Sequence, residues 1–264
     1  MKPRQVALLA MDLDGTLLRS DKTVSDYTLS VLERCRKRGI RLAVATARPI
    51  RTAEDCLPGL CWDGAVFHSG AVIRYPGGET ERRGIPAPTA RRLLDDLTRA
   101  LPRAALSVEM GERHYANFDP TAIWPGLAYA FTDFSDLPED CPADKILIRA
   151  STLEEIRQVE RYLPPELHIL LSENTVGMIL RRDATKLEGV RRLAERYGLP
   201  LERVAAFGDD YGDIPLLRAC GVGVAVENGL AEVKAASDAV CPSNDADGVA
   251  HWLEENLLQS AHFL

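Results

Sequence analysis

Residues 6–11 (VALLAM) form an unbroken apolar run that stops at Asp12. A short run without polar alternation predicts a strand buried on both faces of a parallel sheet. Residues 25–37 follow with Leu29, Val31, Leu32 and Cys35 near one helical face. Ser25 stands where an N-cap belongs and Gly39 where a helix stops. Residues 41–46 (RLAVAT) read as a second buried strand, 51–57 as a short helix and Gly64–Phe67 as a third strand. Strand, helix, strand, helix, strand over the first 75 residues predicts an open, mostly parallel sheet with helices on both faces.

The pattern changes in the middle of the chain. Residues 75–78 (YPGG) form a turn, and 89–101 read as an amphipathic helix ended by Pro102. Residues 105–110 and 113–118 flank Gly111 and Glu112 as a hairpin. A strand over 145–150, a helix over 153–163 and strands over 167–171 and 177–180 complete an α+β module. The parallel pattern then resumes. Helices are expected over 186–197, Ile214–Ala219, Ala231–Ala236 and 248–258, and strands over 204–207 and Val222–Val226, with fraying over 257–264. The fold expected is α/β: a Rossmann-like, mostly parallel sheet core over 1–82 and 183–264, with an α+β module inserted over 83–182. No internal repeat or low-complexity segment interrupts it.

Composition narrows the function. The chain has 264 residues, 46% of them hydrophobic, enough for a core without metal or disulfide staples. A net charge of -7 argues against nucleic acid or an anionic membrane as a general partner. Cys35, Cys56, Cys61, Cys141, Cys220 and Cys241 form no CxxC pair and read as reduced thiols, with Cys35 and Cys220 on apolar helix faces. No apolar run approaches the ~20 residues of a membrane helix, so the protein reads as cytoplasmic. His68, His114, His168, His251 and His262 show no zinc-ligand spacing, and neither GxxxxGK[ST] nor GxGxxG occurs.

The chemistry concentrates at strand ends. Asp12 and Asp14 lie two residues apart beyond the first strand, in the stretch DLDGTLL. Close carboxylates repel, and one must take up a proton unless a cation compensates. Mg²⁺ is a natural compensator because it prefers hard oxygen ligands. Gly15 permits a sharp turn. Taken alone, the stretch also reads as a solvated turn, since Asp, Gly and Thr all favour turns. Asp209, Asp210 and Asp213 follow another buried strand, where they could equally decorate the start of a helix. In open parallel sheets ligands bind beyond the carboxyl ends of the strands, so Asp12, Asp14, Thr46 and Asp209 can share one crevice. Lys186 is the candidate cation for that crevice. Thr46 and Arg48 are candidate phosphate or substrate contacts, although each also suits an ordinary cap or surface position.

DLDGTLL, VATAR, Lys186 and GDDYGD, in that order, resemble the four motifs of the haloacid dehalogenase (HAD) superfamily. The tail, with VENG at 226–229 and SNDADGVA at 243–250, is similar to the Cof-type subgroup. The resemblance implies a phosphatase in which Asp12 is the nucleophile and Asp14 the general acid and base. It implies that Leu13, Asp14, Thr46, Ala47 and Lys186 hold the phosphoryl group together with Asp12. It implies Mg²⁺ on Asp12, the main-chain carbonyl of Asp14 and Asp209, with Asp213 supporting from behind. The middle module resembles a type IIB cap, which would close over the site and choose the leaving group. Glu109, Arg113, His114 and Tyr115 on its hairpin are then candidate substrate contacts, though an ordinary exposed hairpin would look the same.

Three departures stand out. Gly212 replaces the Asn common in relatives, Ser69-Gly70-Ala71 replaces NGA, and Thr46-Ala47-Arg48 replaces TGR. The expected activity is hydrolysis of a small phosphate ester such as a sugar phosphate, by a monomer or homodimer. A phosphomutase or phosphotransferase sharing the covalent step, or an impaired binding protein motivated by Gly212, are the alternatives.

Overall fold

The computed structural model describes residues 6–56 and 62–259. The expected helix end at Leu57, the Cys61 thiol and the last five residues lie outside the described residues. The chain divides into two compact units: one up to Glu81 and from Thr185 onward, the other Arg82–Ala184.

In chain order the elements begin with β1 (Leu8–Met11), α1 (Asp26–Lys37), β2 (Arg41–Ala45), α2 (Ile50–Asp55), β3 (Gly64–Phe67), β4 (Val72–Arg74) and β5 (Thr80–Arg82). Next come α3 (Ala87–Ala100), β6 (Leu106–Met110), β7 (Arg113–Ala116), β8 (Tyr129–Phe131), β9 (Ala143–Arg149), α4 (Leu153–Glu160), β10 (Leu167–Ser172) and β11 (Val176–Arg181). The last stretch holds α5 (Lys186–Arg196), β12 (Val204–Gly208), α6 (Ile214–Ala219), β13 (Val222–Val226), α7 (Ala231–Ala236), β14 (Ala239–Cys241) and α8 (Gly248–Leu253).

The first unit is built on an eight-stranded sheet ordered β14-β13-β12-β1-β2-β3-β4-β5. From β14 to β3 every pairing is parallel, and β4 turns back antiparallel on β3. Strand order runs outward in both directions from the β1–β12 pair. That pair is therefore the topological switch point, where such sheets open a crevice at their carboxyl edge.

Both faces of this sheet are covered, which is why β1 shows no polar alternation. Leu9 and Met11 pack with α1 and α8 through Val31, Leu32, Cys35, Val249 and Leu253. Leu8 and Ala10 pack on the other face with Val190 and Leu193 of α5, Leu216 and Leu217 of α6 and Val233 of α7. The buried stripe of α1 is Thr28, Val31, Leu32 and Cys35, with Ser25 capping through Thr28 N–H as expected. Leu29, expected on that stripe, is only half-buried, and Thr28 takes its place.

The second unit carries a six-stranded sheet ordered β10-β11-β9-β6-β7-β8. Its hairpin β6–β7 turns through Gly111 and Glu112, both at positive φ. Leu106, Val108, Ile146 and Ile148 form its core with Leu94 and Leu97 of α3 and Ile156 of α4.

The fold class read from the sequence is the one observed. Several details differ. β4, β5, β8 and β14 span three residues each and were not anticipated, because a three-residue strand carries no readable periodicity. Cys220 caps α6 rather than lying on its face, and the last helix loosens into a π-helical turn over Glu254–Leu258. Cys35, Cys56, Cys141, Cys220 and Cys241 are free thiols. Among the described residues, no helix is long and apolar enough to cross a membrane.

Candidate active site

Asp12 follows β1 and Asp209 follows β12, so the switch point brings both carboxylates to one edge of the sheet. Asp12, Asp209 and Asp213 each offer an oxygen within 4.8 Å of the others. Lys186 lies among them. Its Nζ donates to Asp12 Oδ1 at 2.8 Å and to Asp213 Oδ1 at 2.7 Å, and all three side chains are buried.

Local structure fixes each group. Lys186 opens α5, with Thr185 as N-cap accepting from Glu188 N–H. A cation at a helix N-terminus opposes the helix dipole, so its placement depends on the carboxylates around it. Gly70 sets where that helix begins. It sits at φ +114°, and a Cβ there would lie 2.3 Å from the Thr185 carbonyl oxygen. Only glycine lets the turn after β3 lie against the backbone entering α5. Asp213 locks the acidic loop: its Oδ2 accepts the N–H groups of Asp209 and Asp210 at 3.2 and 3.1 Å. Both of its oxygens are therefore engaged, which suits support of the loop.

The charges in this cluster do not balance. Burial pushes the Asp12 carboxyl well above the usual range; the Lys186 charge pulls it down, and Asp213 and Asp209 push it up again. Burial and the Asp213 charge push Asp209 up to about 6. Burial works against the Lys186 charge, but Asp12 and Asp213 outweigh it and hold the ammonium protonated. One lysine thus faces three carboxylates, and the excess negative charge must be met by protons or by another cation. An all-oxygen donor set with surplus negative charge fits a hard divalent ion.

Asp14 is held apart from this cluster. Its carboxylate accepts Arg48 Nε and Nη2 at 2.6 and 2.7 Å and Lys22 Nζ at 2.7 Å. Burial raises its pKa, but the hydrogen bonds and charges of Arg48 and Lys22 outweigh burial and leave it below the ordinary value. Arg48 also donates through Nη1 to Thr52 O and Cys56 Sγ. The Thr46 hydroxyl, at the end of β2, accepts from Arg48 N–H at 3.1 Å. A hydroxyl that accepts this way keeps its proton to donate. Leu13 lies between the two aspartates and is fully buried, and Ala47 separates Thr46 from Arg48.

The hairpin candidates belong to the second unit. Glu109 and His114 are buried, with His114 Nδ1 and Glu109 Oε1 3.0 Å apart, while Arg113 is exposed and Tyr115 half-buried. An ordinary exposed hairpin is therefore not what Glu109 and His114 form.

Four contributors escaped the sequence reading. Thr16 donates to Asp209 Oδ1 at 2.7 Å. Lys22 reaches Asp14, and Asn228 and Asn244 contact the loop after β1. Asn228 and Asn244 stand within the tail motifs, but nothing in their local pattern shows partners 213 and 226 residues away.

Gly15 explains why the loop after β1 needs its glycine. It sits at φ +74°, and a Cβ there would lie 2.5 Å from Asp209 Oδ2. Gly15→Ala is expected to cost about 1–3 kcal/mol of stability from backbone strain and to displace Asp209. Urea unfolding measures the first effect, and an unchanged midpoint would show that the loop adapts freely. At Gly212, by contrast, a Cβ would meet no heavy atom within 4 Å, so an asparagine there has room.

The model of the haloacid dehalogenase-like hydrolase family matches residues 9–253. The chain belongs to that family. Phosphatase YwpJ of Bacillus subtilis is 32% identical, over 95% of this chain and 99% of its own length. The 5-amino-6-(5-phospho-D-ribitylamino)uracil phosphatase YitU of the same organism is 27% identical, over 94% of this chain and 96% of its own. The structure of a haloacid dehalogenase-like hydrolase from B. subtilis superposes with a TM-score of 0.84 at 26% identity, covering 96% of this chain and all of that one. The chain is thus an enzyme of this hydrolase family, and its acidic cluster lies within the matched segment.

Proposed function

We propose that this HAD hydrolase is a Mg²⁺-dependent phosphatase of small phosphate monoesters, working through an aspartyl-phosphate on Asp12. One observation carries the proposal: Lys186 bridges Asp12 and Asp213 inside a buried cluster whose surplus negative charge calls for a cation.

Asp12 and Asp209, with the main-chain carbonyl of Asp14, would hold Mg²⁺, and Asp213 would support them through the acidic loop. When bound, the ion neutralises the carboxylates and the phosphate oxygens, so that an anionic ester can approach an anionic nucleophile. The remaining work falls to the chain. An Asp12 oxygen attacks phosphorus and the ester P–O bond breaks. The leaving alkoxide takes a proton from Asp14. Water then attacks the phosphoryl group and gives its proton to Asp14. The bond to Asp12 breaks and inorganic phosphate leaves. Lys186 and the Thr46 hydroxyl, with the main chain at Leu13, Asp14 and Ala47, would position the phosphoryl oxygens.

Held by Arg48 and Lys22, Asp14 is ionised, the form that accepts a proton from water. The protonating step needs the other form, so Asp14 must first take up a proton from water or from a monoanionic ester before it can pass one to the leaving oxygen. Asp14→Asn is therefore expected to slow alkyl phosphates by ~10²–10⁴-fold and p-nitrophenyl phosphate much less, because its phenolate leaves unaided. Equal losses on both substrates would remove the acid role.

The substrate class proposed is a sugar phosphate or similar metabolite. The YitU relative is named for a phosphorylated ribityl compound. In this reading the unit Arg82–Ala184 is the cap, with Glu109 and Arg113 as candidate substrate contacts. The deciding experiment follows phosphate release from a panel of small esters with Mg²⁺ or with EDTA. Mg²⁺-dependent release supports the reading. An isomerised ester would move it to a phosphomutase, and no release from any ester would leave a binding protein.

A further inference from the structure

We propose that Asn228, braced by Asn244, is a positioning residue that keeps the loop carrying Asp12 and Asp14 in register with the loop carrying Asp209. Its link to turnover rests on the phosphatase reading above.

Asn228 follows β13, one strand beyond the switch-point pair. Its side-chain amide uses both ends. Nδ2 donates to the Gly15 carbonyl at 2.7 Å, and Oδ1 accepts the Asn244 N–H at 2.9 Å. Asn244 is buried, and its own Nδ2 donates to the Leu18 carbonyl at 2.9 Å. Two amides from the end of the chain thus grip the first loop at two carbonyls three residues apart.

The same segment also grips the acidic loop. Leu230 N–H donates to the Asp209 carbonyl at 3.0 Å. The circuit closes through Thr16, whose hydroxyl binds the Asp209 carboxylate at 2.7 Å. Gly15, Asn228, Leu230, Asp209 and Thr16 therefore form one ring of backbone and hydrogen bonds around the carboxyl ends of β1, β12 and β13. Within it, Asn228 is the only side chain bonded to the Gly15 carbonyl among the hydrogen bonds of the described residues. It is exposed, so little packing is lost when it is changed. A small shift of Gly15 would be felt at Asp12 and Asp14, because reacting groups must be held to within a fraction of an ångström.

The chemistry at Asn228 demands an amide. Alanine removes both bonds. Aspartate keeps an acceptor for Asn244 N–H but sets an oxygen against the Gly15 carbonyl. Lys234→Ala is the control, since Lys234 Nζ caps the neighbouring Glu227 carbonyl from the same segment without touching the ring.

Two readouts on the full-length protein test the proposal. The first is hydrogen exchange at the amides of Thr16, Leu17 and Leu18, which are bonded inside the loop to Leu13, Asp12 and Leu13 carbonyls. Asn228→Ala and Asn228→Asp should each speed exchange there by about tenfold or more, with the sheet strands unchanged and Lys234→Ala like wild type. The second is steady-state kinetics with p-nitrophenyl phosphate and Mg²⁺. Both Asn228 variants should lose about 10–100-fold in kcat with KM within about threefold, at an unchanged thermal midpoint. Wild-type exchange rates in both Asn228 variants would overturn the proposal. So would faster exchange with unaltered kcat in an active enzyme, or a kcat loss that merely tracks a fallen midpoint. If wild type itself releases no phosphate, the phosphatase reading fails, and the exchange rates alone decide whether Asn228 holds the loop.

Discussion

Asp12→Asn is expected to abolish turnover while leaving the protein folded. The two halves of this expectation come from different physics. Asparagine keeps the size and planarity of the side chain but is a far poorer nucleophile, and groups that act as a unit in covalent catalysis cannot be replaced singly. The loss should be on the order of 10⁴-fold or more. Stability should move the other way. Without a divalent ion, Asp12 sits with Asp209 and Asp213 around a single ammonium, and burial and repulsion push its carboxyl well up. Removing one carboxylate relieves that excess while Lys186 keeps its bond to Asp213. In EDTA the variant should unfold at the same temperature as wild type or higher. Phosphate release and a thermal melt on the same preparation test both halves. Retention of more than a few per cent of activity would remove the nucleophile assignment. A large fall in the EDTA midpoint would show that the charge account is wrong.

How much of this was legible in the sequence depends on the range of each interaction. β1 announced itself because six apolar residues in a row have few other homes. α1 was legible to its cap because Ser25, Val31, Leu32 and Cys35 are all local, although Thr28 lies on the buried stripe where Leu29 was expected. The gathering of Asp12 with Asp209 needed one further step, the rule that parallel strands share a carboxyl edge, and that rule is topological. What remained hidden was specific pairing across the chain. Nothing local to Asn228 marks the Gly15 carbonyl as its partner, and nothing local to Gly70 shows that Thr185 will lie against it.

Arg48 illustrates a subtler limit. Its place after β2 pointed to phosphate or substrate, and the structure does bring it to the site edge. There its guanidinium grips Asp14 through two parallel bonds. A bidentate carboxylate partner satisfies arginine as well as a phosphate does. Residue type and position therefore identify the neighbourhood without deciding between the two partners. Glu109 and His114 show the same limit within the second unit, where a hairpin that could have been exposed holds a buried acid–imidazole pair.

Lys186→Met should be the most destabilising single change in this site. Methionine fills a similar volume, so the effect is electrostatic. Wild type places one ammonium between Asp12 and Asp213, with Asp209 beside them. Taking the cation away leaves buried carboxylates without a partner, which costs roughly 3–5 kcal/mol. The sign with pH follows from linkage. With no cation, Asp12 and Asp209, already pushed up by burial and by neighbouring charge, bind protons more tightly in the folded protein than in the unfolded chain. Their folded pKa values then lie above the ordinary carboxylate range, so the stabilising effect of protonation is full below that range and lost as pH rises through the folded values. Asp209, already pushed up to about 6 in the presence of Lys186, sets the lower end of that window. Urea unfolding of wild type and variant should thus nearly coincide at about pH 4 and separate steadily towards neutrality. Mg²⁺ should restore part of the difference at the alkaline end by supplying the missing charge. Adding Asp213→Asn should restore more, because the ammonium and that carboxylate form one coupled pair. On the proposed role of Lys186 at the phosphoryl oxygens, turnover should fall by on the order of 10²–10³-fold, and Asp213→Asn should not recover it. Equal destabilisation at every pH would instead mean that Lys186 serves by packing, and the charge imbalance that motivates the metal site would lose its support.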